Sequence, residues 1–534
     1  MKERVLQART KVKQFLEARV VFALIGALYV LAFPYHPGLR SPNELCRLWQ
    51  TRALVDHGKL SLNETIREYG MVGDLSRREG LFYPSKAPAL SFAAVPIYWV
   101  LKKVAGPQPV SEVAQVYWSR LFVTVAPTLF LLWLMRRFLT GRLADGTRDA
   151  VLVVYGLGSL AFSYSELFMS HQTTAVLLFA AYYAAVQTRA KKWPAWGWAV
   201  AGLLAALSVV TEYTAALTVL AIALWAVADI WVGEKADAKK RNLELGRAVG
   251  LVIAGAAPAL GLLMLYHQAC FGHPLESGYK YLNDAGYQGW HVGGFLGIRG
   301  PELRAFGLSF FSPLRGLFAL SPWVAVALAG IWLLKKETSH FVFLAALSLG
   351  NAYFTSAFTY DSWGWCIGPR HLTPWLPFLV WPLGKVIDHL KELREVDGRM
   401  LYGVVVGACA SSVLVAGVLS LLNYVPDSMS TAFFGLALPL LEAGYYAPSA
   451  LSLLGIAQPS AGLPLYLLLA AGLFWLVATL RGAAVQAQGA VTRAALAALV
   501  VHLWILSAAT RHDAGDVASV EHLKRNWLTP PPSG

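Results

Sequence analysis

"PALSFAAVPIYWVL", residues 88–101, is the stretch on which the fold turns. It is apolar enough to enter a bilayer, yet a helical span takes about 17–25 residues and this run offers about fourteen. If it crossed, every later loop would change sides. Loop charge settles the matter, because loops retained on the cytoplasmic side are rich in lysine and arginine. Basic clusters fall at Arg136–Arg137 with Arg142, at Arg189–Lys192, Lys235–Arg241, Lys335–Lys336, Lys385–Arg399 and Arg481–Arg493. All of them reach one side only if 88–101 stays out of the membrane, as an interfacial or re-entrant helix. Spans are then predicted at about 18–36, 119–135, 150–168, 172–188, 195–211, 213–232, 248–267, 316–334, 340–358, 372–388, 400–423, 463–481 and 493–510. The fold class is an all-α polytopic membrane protein with about thirteen transmembrane helices and juxtamembrane helices in a large first external loop, 37–118.

Composition agrees. The 534 residues are 56% hydrophobic and 14% charged, where a soluble domain carries about 25% charged residues. Apolar blocks such as "VVFALIGALYVLAF" and "LFVTVAPTLFLLWLM" lack strand alternation, which excludes a barrel. The formal charge of +14 is explained by basic cytoplasmic loops, so no nucleic-acid partner is implied. Residues 1–19 read as a basic cytoplasmic leader ahead of an uncleaved anchor, 20–423 as the catalytic transmembrane domain, and 424–534 as an external loop, two further spans and an external tail. Cys46, Cys270, Cys366 and Cys409 show no CxxC spacing and read as buried thiols. Bridges Cys46–Cys270 or Cys270–Cys366 would require an oxidising compartment.

Four external segments result, 37–118, 268–315, 360–374 and 424–462; the last reads mostly as cover, and candidate chemistry gathers in the others and in tight external turns. "SPNELCR", 41–47, matches a capping box, with Ser41 at the cap, Pro42 at the first helical position and Glu44 three residues after the cap. The helix is predicted to run to His57 and stop at Gly58, with Leu45, Leu48, Trp49 and Arg52 toward the bilayer surface. Capping is the structural role open to Glu44, and proton transfer the functional one. Asp74, in "VGDLSRREG", is a second acid in the same loop, or a solvated turn residue. Lys86 stands at the head of the 88–101 helix, where an anion above it would suit a cation better than the helix start does. Glu166 and His171 occupy a tight external turn, and Glu212 another; ionisable groups at membrane depth are functional candidates, although Glu212 reads as structural. Arg315 and Arg370 each head a span, placed to fork onto a phosphate or to anchor in the aromatic belt. No HExxH, external DxD, Walker loop, GxGxxG or GxSxG is present, so no metal or soluble nucleotide site is indicated.

Together "PNELCRLWQTRALVDHG" and "FYPSKAPALSFAAVP" resemble the GT-C class of polyprenyl-phosphate-sugar-dependent glycosyltransferases, which includes the protein mannosyltransferases and the lipid A aminoarabinose transferases. That class has Pro-Asp-Glu in its first loop, then an Arg and a Gly, then Tyr-x-x-Lys-Pro-Pro. Pro42, Glu44, Arg52 and Gly58 match the first pattern, and Lys86 takes the place of the lysine. With "GPRHL" the set looks like a bacterial branch. Asn43 departs from the pattern, standing where the class has its catalytic aspartate; an amide is no base, so Glu44 or Asp74 must serve. The resemblance implies an inverting transfer of a sugar from a polyprenyl phosphate to an acceptor hydroxyl on a glycan, lipid or protein. In that reaction Glu44 is the base, Asn43 orients it or the acceptor, and Lys86 with an arginine holds the departing phosphate. No cofactor is called for, and a divalent metal is compatible but not indicated. The implied location is the inner or plasma membrane, with the site facing the periplasm or exterior. A transporter or flippase, or a polysaccharide polymerase or ligase, is the alternative; the first would be expected to carry paired polar residues within spans and inverted repeats, which are not seen.

Overall fold

In the computed structural model the chain is described over residues 19–36, 41–234, 237–294, 297–358, 364–393, 395–482 and 488–527. Nearly all of the basic leader and the Pro-rich end of the tail lie outside these residues, as does part of the 360–374 segment. Helices dominate, and each of the thirteen predicted spans coincides with helix. Six are long and apolar enough to cross a bilayer by length and composition: Glu112–Leu139, Ala215–Gly233, Ala238–Phe271, Val396–Leu422, Leu463–Gly482 and Gln488–Ala508. The others are shorter, broken or more polar, and some of them are covered by protein. Ser170–Arg189, for example, is buried along almost its whole length, with Gln172 and Thr174 inside. A polar residue there meets neighbouring helices and not lipid, which relaxes the demand for unbroken hydrophobicity.

The 88–101 run folds as two short helices, Ala89–Ala93 and Val95–Ala105. Eleven residues of helix measure about 16 Å, about half the hydrocarbon thickness, so the second cannot cross. Its Trp99, Val100 and Val104 are exposed, while Lys102 and the Tyr98 hydroxyl hold Asp56, the latter at 2.9 Å. One apolar face is thus left outward on a helix tied to the first loop, the form of an interfacial element.

The helix that opens the first loop runs Pro42–Arg52, continues as a π-helical turn Ala53–His57 and stops at Gly58, whose φ of 63° only glycine adopts without strain. Two features differ from the sequence reading. Leu48, Trp49 and Arg52 are buried beneath the following helices and a hairpin, not spread on a bilayer surface. The Ser41 side chain also makes no capping bond. The Glu44 carboxylate turns away from the helix start because a guanidinium and a second backbone N–H compete for it, and charge-assisted bonds outweigh a neutral cap.

The hairpin itself was not anticipated. Strands β1 (Leu75–Arg78) and β2 (Leu81–Pro84) pair antiparallel, from Leu75 opposite Pro84 to Arg78 opposite Leu81. Glu79 and Gly80, at φ 51° and 79°, form the two-residue turn, the geometry that matches strand twist. All four cysteines are free and buried, so neither bridge forms.

Candidate functional site

A cavity of about 890 Å³ opens at the end of the bundle that carries the first loop. Its wall is drawn from all four segments read as external and from the turns at 167–171 and 212–217. No residue of the basic clusters contributes. Asn43, Glu44, Asp74, Lys86, His171 and Arg370 all line it.

The hairpin places the first ion pair. Beyond Leu75 and Pro84 the ladder adds one bond, Ser85 N–H to the Asp74 carbonyl at 2.9 Å, which leaves Asp74 facing Lys86. Their side chains meet at 3.2 Å, the carboxylate 28% and the ammonium 13% exposed. Asp74 sits at φ 57°, a left-handed conformation that aspartate tolerates better than most residues. Gly73 lets the hairpin base approach the first-loop helix, since a Cβ there would meet the Pro42 ring at 2.9 Å. Burial alone would raise the Asp74 carboxyl, but Lys86 and then Arg370 hold it below its usual range. Burial alone would lower the Lys86 ammonium, but Asp74, followed by Tyr279, holds it above its usual range. Both stay charged at neutral pH.

The 268–315 segment is stitched to this hairpin. Ser76 Oγ donates to the Gly278 carbonyl at 2.7 Å, and Asn283 N–H to the Leu75 carbonyl at 2.9 Å. The stitching carries the Tyr279 ring to 5.5 Å from the Lys86 ammonium. His291 follows on the same wall; burial, aided by Lys86, pushes its imidazole down to about 4.

Glu44 is held from three directions. Arg120 forks onto it with Nε at 2.9 Å from Oε1 and Nη2 at 2.9 Å from Oε2, and Phe168 N–H donates to Oε1 at 2.6 Å. Both side chains are under 10% exposed (5% for Arg120, 8% for Glu44). Three donors thus occupy the two oxygens of this carboxylate, two of them from one guanidinium. Next to it the Asn43 side-chain oxygen accepts from Arg47, whose Nη1 also reaches the Asn43 carbonyl at 2.8 Å. Arg47 Nη2 donates to Ser170 Oγ at 3.2 Å, and Ser170 donates to Glu212 Oε2 at 2.5 Å.

No family model matches the chain, and no curated protein does. Solved structures do. The crystal structure of ArnT from Cupriavidus metallidurans in the apo state is 15% identical over 92% of this chain and 78% of that one, with a TM-score of 0.48. The same protein bound to undecaprenyl phosphate is 14% identical over 96% of this chain and 90% of that one, at 0.42. The Archaeoglobus fulgidus oligosaccharyltransferase in the apo form is 12% identical over 85% of this chain and 56% of that one, at 0.39. Both proteins have the GT-C fold.

Of the residues singled out from sequence, Arg315 stands apart. It lies outside the cavity wall, donates to the Val425 carbonyl at 3.0 Å and pairs with Asp427, so it fixes a segment that contributes Tyr424 and Asp427 to the wall. The 424–462 region therefore does more than cover. Glu166 is buried behind the wall. Two residues that matter here, Arg47 and Arg120, carried no assignment from the sequence, and a third, Glu212, read as structural. Arg120 could have been found, since a charge inside "YWSRLFVTV" at the head of a span needs a partner. No group of three or more His, Cys, Asp or Glu side chains among the described residues is placed to hold a metal ion.

Proposed function

We propose that the protein is an integral-membrane glycosyltransferase that moves a sugar from a polyprenyl phosphate to an acceptor hydroxyl, in a single inverting displacement on the outer face. One juxtaposition carries the reading. The cavity that holds Lys86 and Arg370 shares its wall with side chains turned outward to the perimeter, namely Leu217, Leu275, Tyr287 and Trp290. A ligand that needs both cations and an apolar rim is a phosphate on a hydrocarbon chain. Isolated phosphates need no rim, and ordinary lipids need no enclosed cavity large enough for a sugar.

In this reading Lys86 and Arg370 bind the donor phosphate and stabilise the charge that grows on it as the glycosidic C–O bond breaks. Asp74 neutralises Lys86 until the phosphate competes for it. His171 and Asn43 lie on the same wall, available to the acceptor. The acceptor oxygen attacks the anomeric carbon from the face opposite the phosphate and surrenders its proton to a cavity carboxylate. Transport is disfavoured because the cavity draws on one end of the bundle only. At the opposite end Arg148 and Asp149 pair out of water, joined by Arg136.

The test is transfer of a radiolabelled sugar from undecaprenyl phosphate by the purified full chain in nanodiscs, with Lys86→Ala and Arg370→Ala alongside. Each variant should bind undecaprenyl phosphate at least tenfold more weakly, about one lost charge-assisted contact. Unchanged binding in both would remove phosphate recognition from this pair.

A further inference from the structure

Among the described residues six carboxylates line the cavity: Glu44, Asp74, Glu112, Glu212, Asp284 and Asp427. Each already has a partner. Glu44 is forked by Arg120, Asp74 pairs with Lys86 and Asp427 with Arg315. Asp284 caps a helix by accepting Tyr287 N–H at 3.0 Å, and Glu112 accepts the Tyr35 hydroxyl at 3.2 Å within the first turn of its own helix. Glu212 differs in its neighbour. Its Oε2 takes the Ser170 hydroxyl at 2.5 Å, as Glu112 takes that of Tyr35, but it forms no ion pair with lysine or arginine among the described residues and stands 3.8 Å from His171 Nδ1. A carboxylate held by one hydroxyl keeps lone pairs free to accept from a second hydroxyl.

The neighbour supplies a second observation. His171 is 2% exposed and lines the cavity, yet neither ring nitrogen has a hydrogen-bond partner among the described residues. A buried polar group left unpaired is costly, and at a cavity wall it marks a place where a ligand completes the bonding. The geometry points to Glu212 as the general base, with His171 hydrogen-bonding the acceptor hydroxyl beside it. This rests on the glycosyl-transfer reading and names its proton acceptor. The Arg47 guanidinium that binds the Asn43 amide also reaches Ser170, and through it Glu212.

The step balances. The acceptor O–H proton goes to the Glu212 carboxylate as the oxygen lone pair forms the bond to the anomeric carbon. The C–O bond to the phosphate breaks, and its electron pair leaves with the phosphate held by Lys86 and Arg370. The Glu212 proton passes to water afterwards. Facing Glu212 are His171, the Arg47 charge relayed through Ser170, and the phenols of Tyr213 and Tyr279.

The experiment uses the full chain in nanodiscs and undecaprenyl phosphate carrying radiolabelled glucose, mannose, galactose or arabinose. Glycolipid, polysaccharide and protein fractions of a bacterial envelope, and water, serve as acceptors. Glu212→Gln should lower kcat by about a hundredfold or more while binding of undecaprenyl phosphate is unchanged, and Glu212→Asp should recover part of the loss. Ser170→Ala removes a hydrogen bond that favours the ionised carboxylate, so the acid limb of the kcat/KM profile should move up by about one pH unit. If Glu212→Gln does not fold, the Ser170→Ala profile decides alone. Activity of Glu212→Gln within tenfold of the parent, or an acid limb unmoved in Ser170→Ala, overturns the assignment. If the parent transfers from none of the four donors, it is the glycosyl-transfer reading that fails.

Discussion

Replacing Glu44 by glutamine separates a structural anchor from a catalytic base. In the parent the carboxylate satisfies two N–H groups of Arg120 and one of Phe168, and the pair is buried. Glutamine keeps the shape but loses the charge and turns one acceptor oxygen into a donor facing the guanidinium. Arg120 is then left buried and uncompensated, which costs about 3–5 kcal/mol. At about 2 °C per kcal/mol, the low end for a large chain, the midpoint of thermal unfolding in detergent should fall by roughly 6–10 °C. Arg120→Met alone should be comparably damaging, whereas Glu44→Gln combined with Arg120→Met should recover much of the loss, because an apolar replacement of both partners is often neutral. Fluorescence-detected size exclusion after heating reads all three. A Glu44→Gln protein that melts within 2 °C of the parent and yet loses transfer by a hundredfold would refute the argument and return Glu44 to the role of base.

Asp74→Asn should tighten binding of undecaprenyl phosphate by about two- to fivefold, since a partly exposed carboxylate no longer competes for Lys86; weaker binding in a titration would show that Asp74 positions the ammonium instead. The pH dependence of donor binding follows from the same pair. Asp74 lies below its usual range, so its contribution is present above about pH 4 and is lost only as pH falls through the depressed value; Lys86 lies above its usual range, so its contribution persists below about pH 10 and is lost as pH rises further. His291, at about 4, stays neutral in between. Binding of a sugar-bearing phosphodiester lipid should therefore be flat from pH 5 to 9, and an inflection near pH 6.5 would contradict the assignment. For sidedness, an impermeant maleimide should label Gln108→Cys from outside and spare Ala144→Cys, against a low background from four buried native thiols; the reverse pattern would mean that 88–101 crosses.

How far the sequence could be read depended on the range of the interaction. The thirteen helices were legible because hydrophobicity is a property of each segment by itself, and the stop at Gly58 because a positive φ belongs to one residue. Lys86 and Arg370 were legible as cations at helix heads, and both line the cavity. Their partners were not. Asp74 meets Lys86 through a hairpin whose strands are four residues long and whose turn is Glu-Gly, a weaker signal than Asn-Gly. Arg315 carries the same local signature as Arg370, and only contacts with Val425 and Asp427 separate their roles. The capping box failed for a related reason. Ser41 and Glu44 are correctly spaced, but Arg120 lies 76 positions further on, beyond what a local motif can weigh.

The cavity wall is assembled from residues spread between Pro34 and Asp427, and this bears on how the chain is made. Lys86 leaves the ribosome early with its counterion, Asp74, only a dozen positions ahead of it. Arg370 follows later by roughly 15–60 s at about 5–20 residues per second. During that interval Lys86 stands already neutralised, and the wall around it is incomplete. If the glycosyl-transfer reading holds, a half-made protein therefore has no grip on the donor phosphate, and that grip arrives only when the third external segment docks.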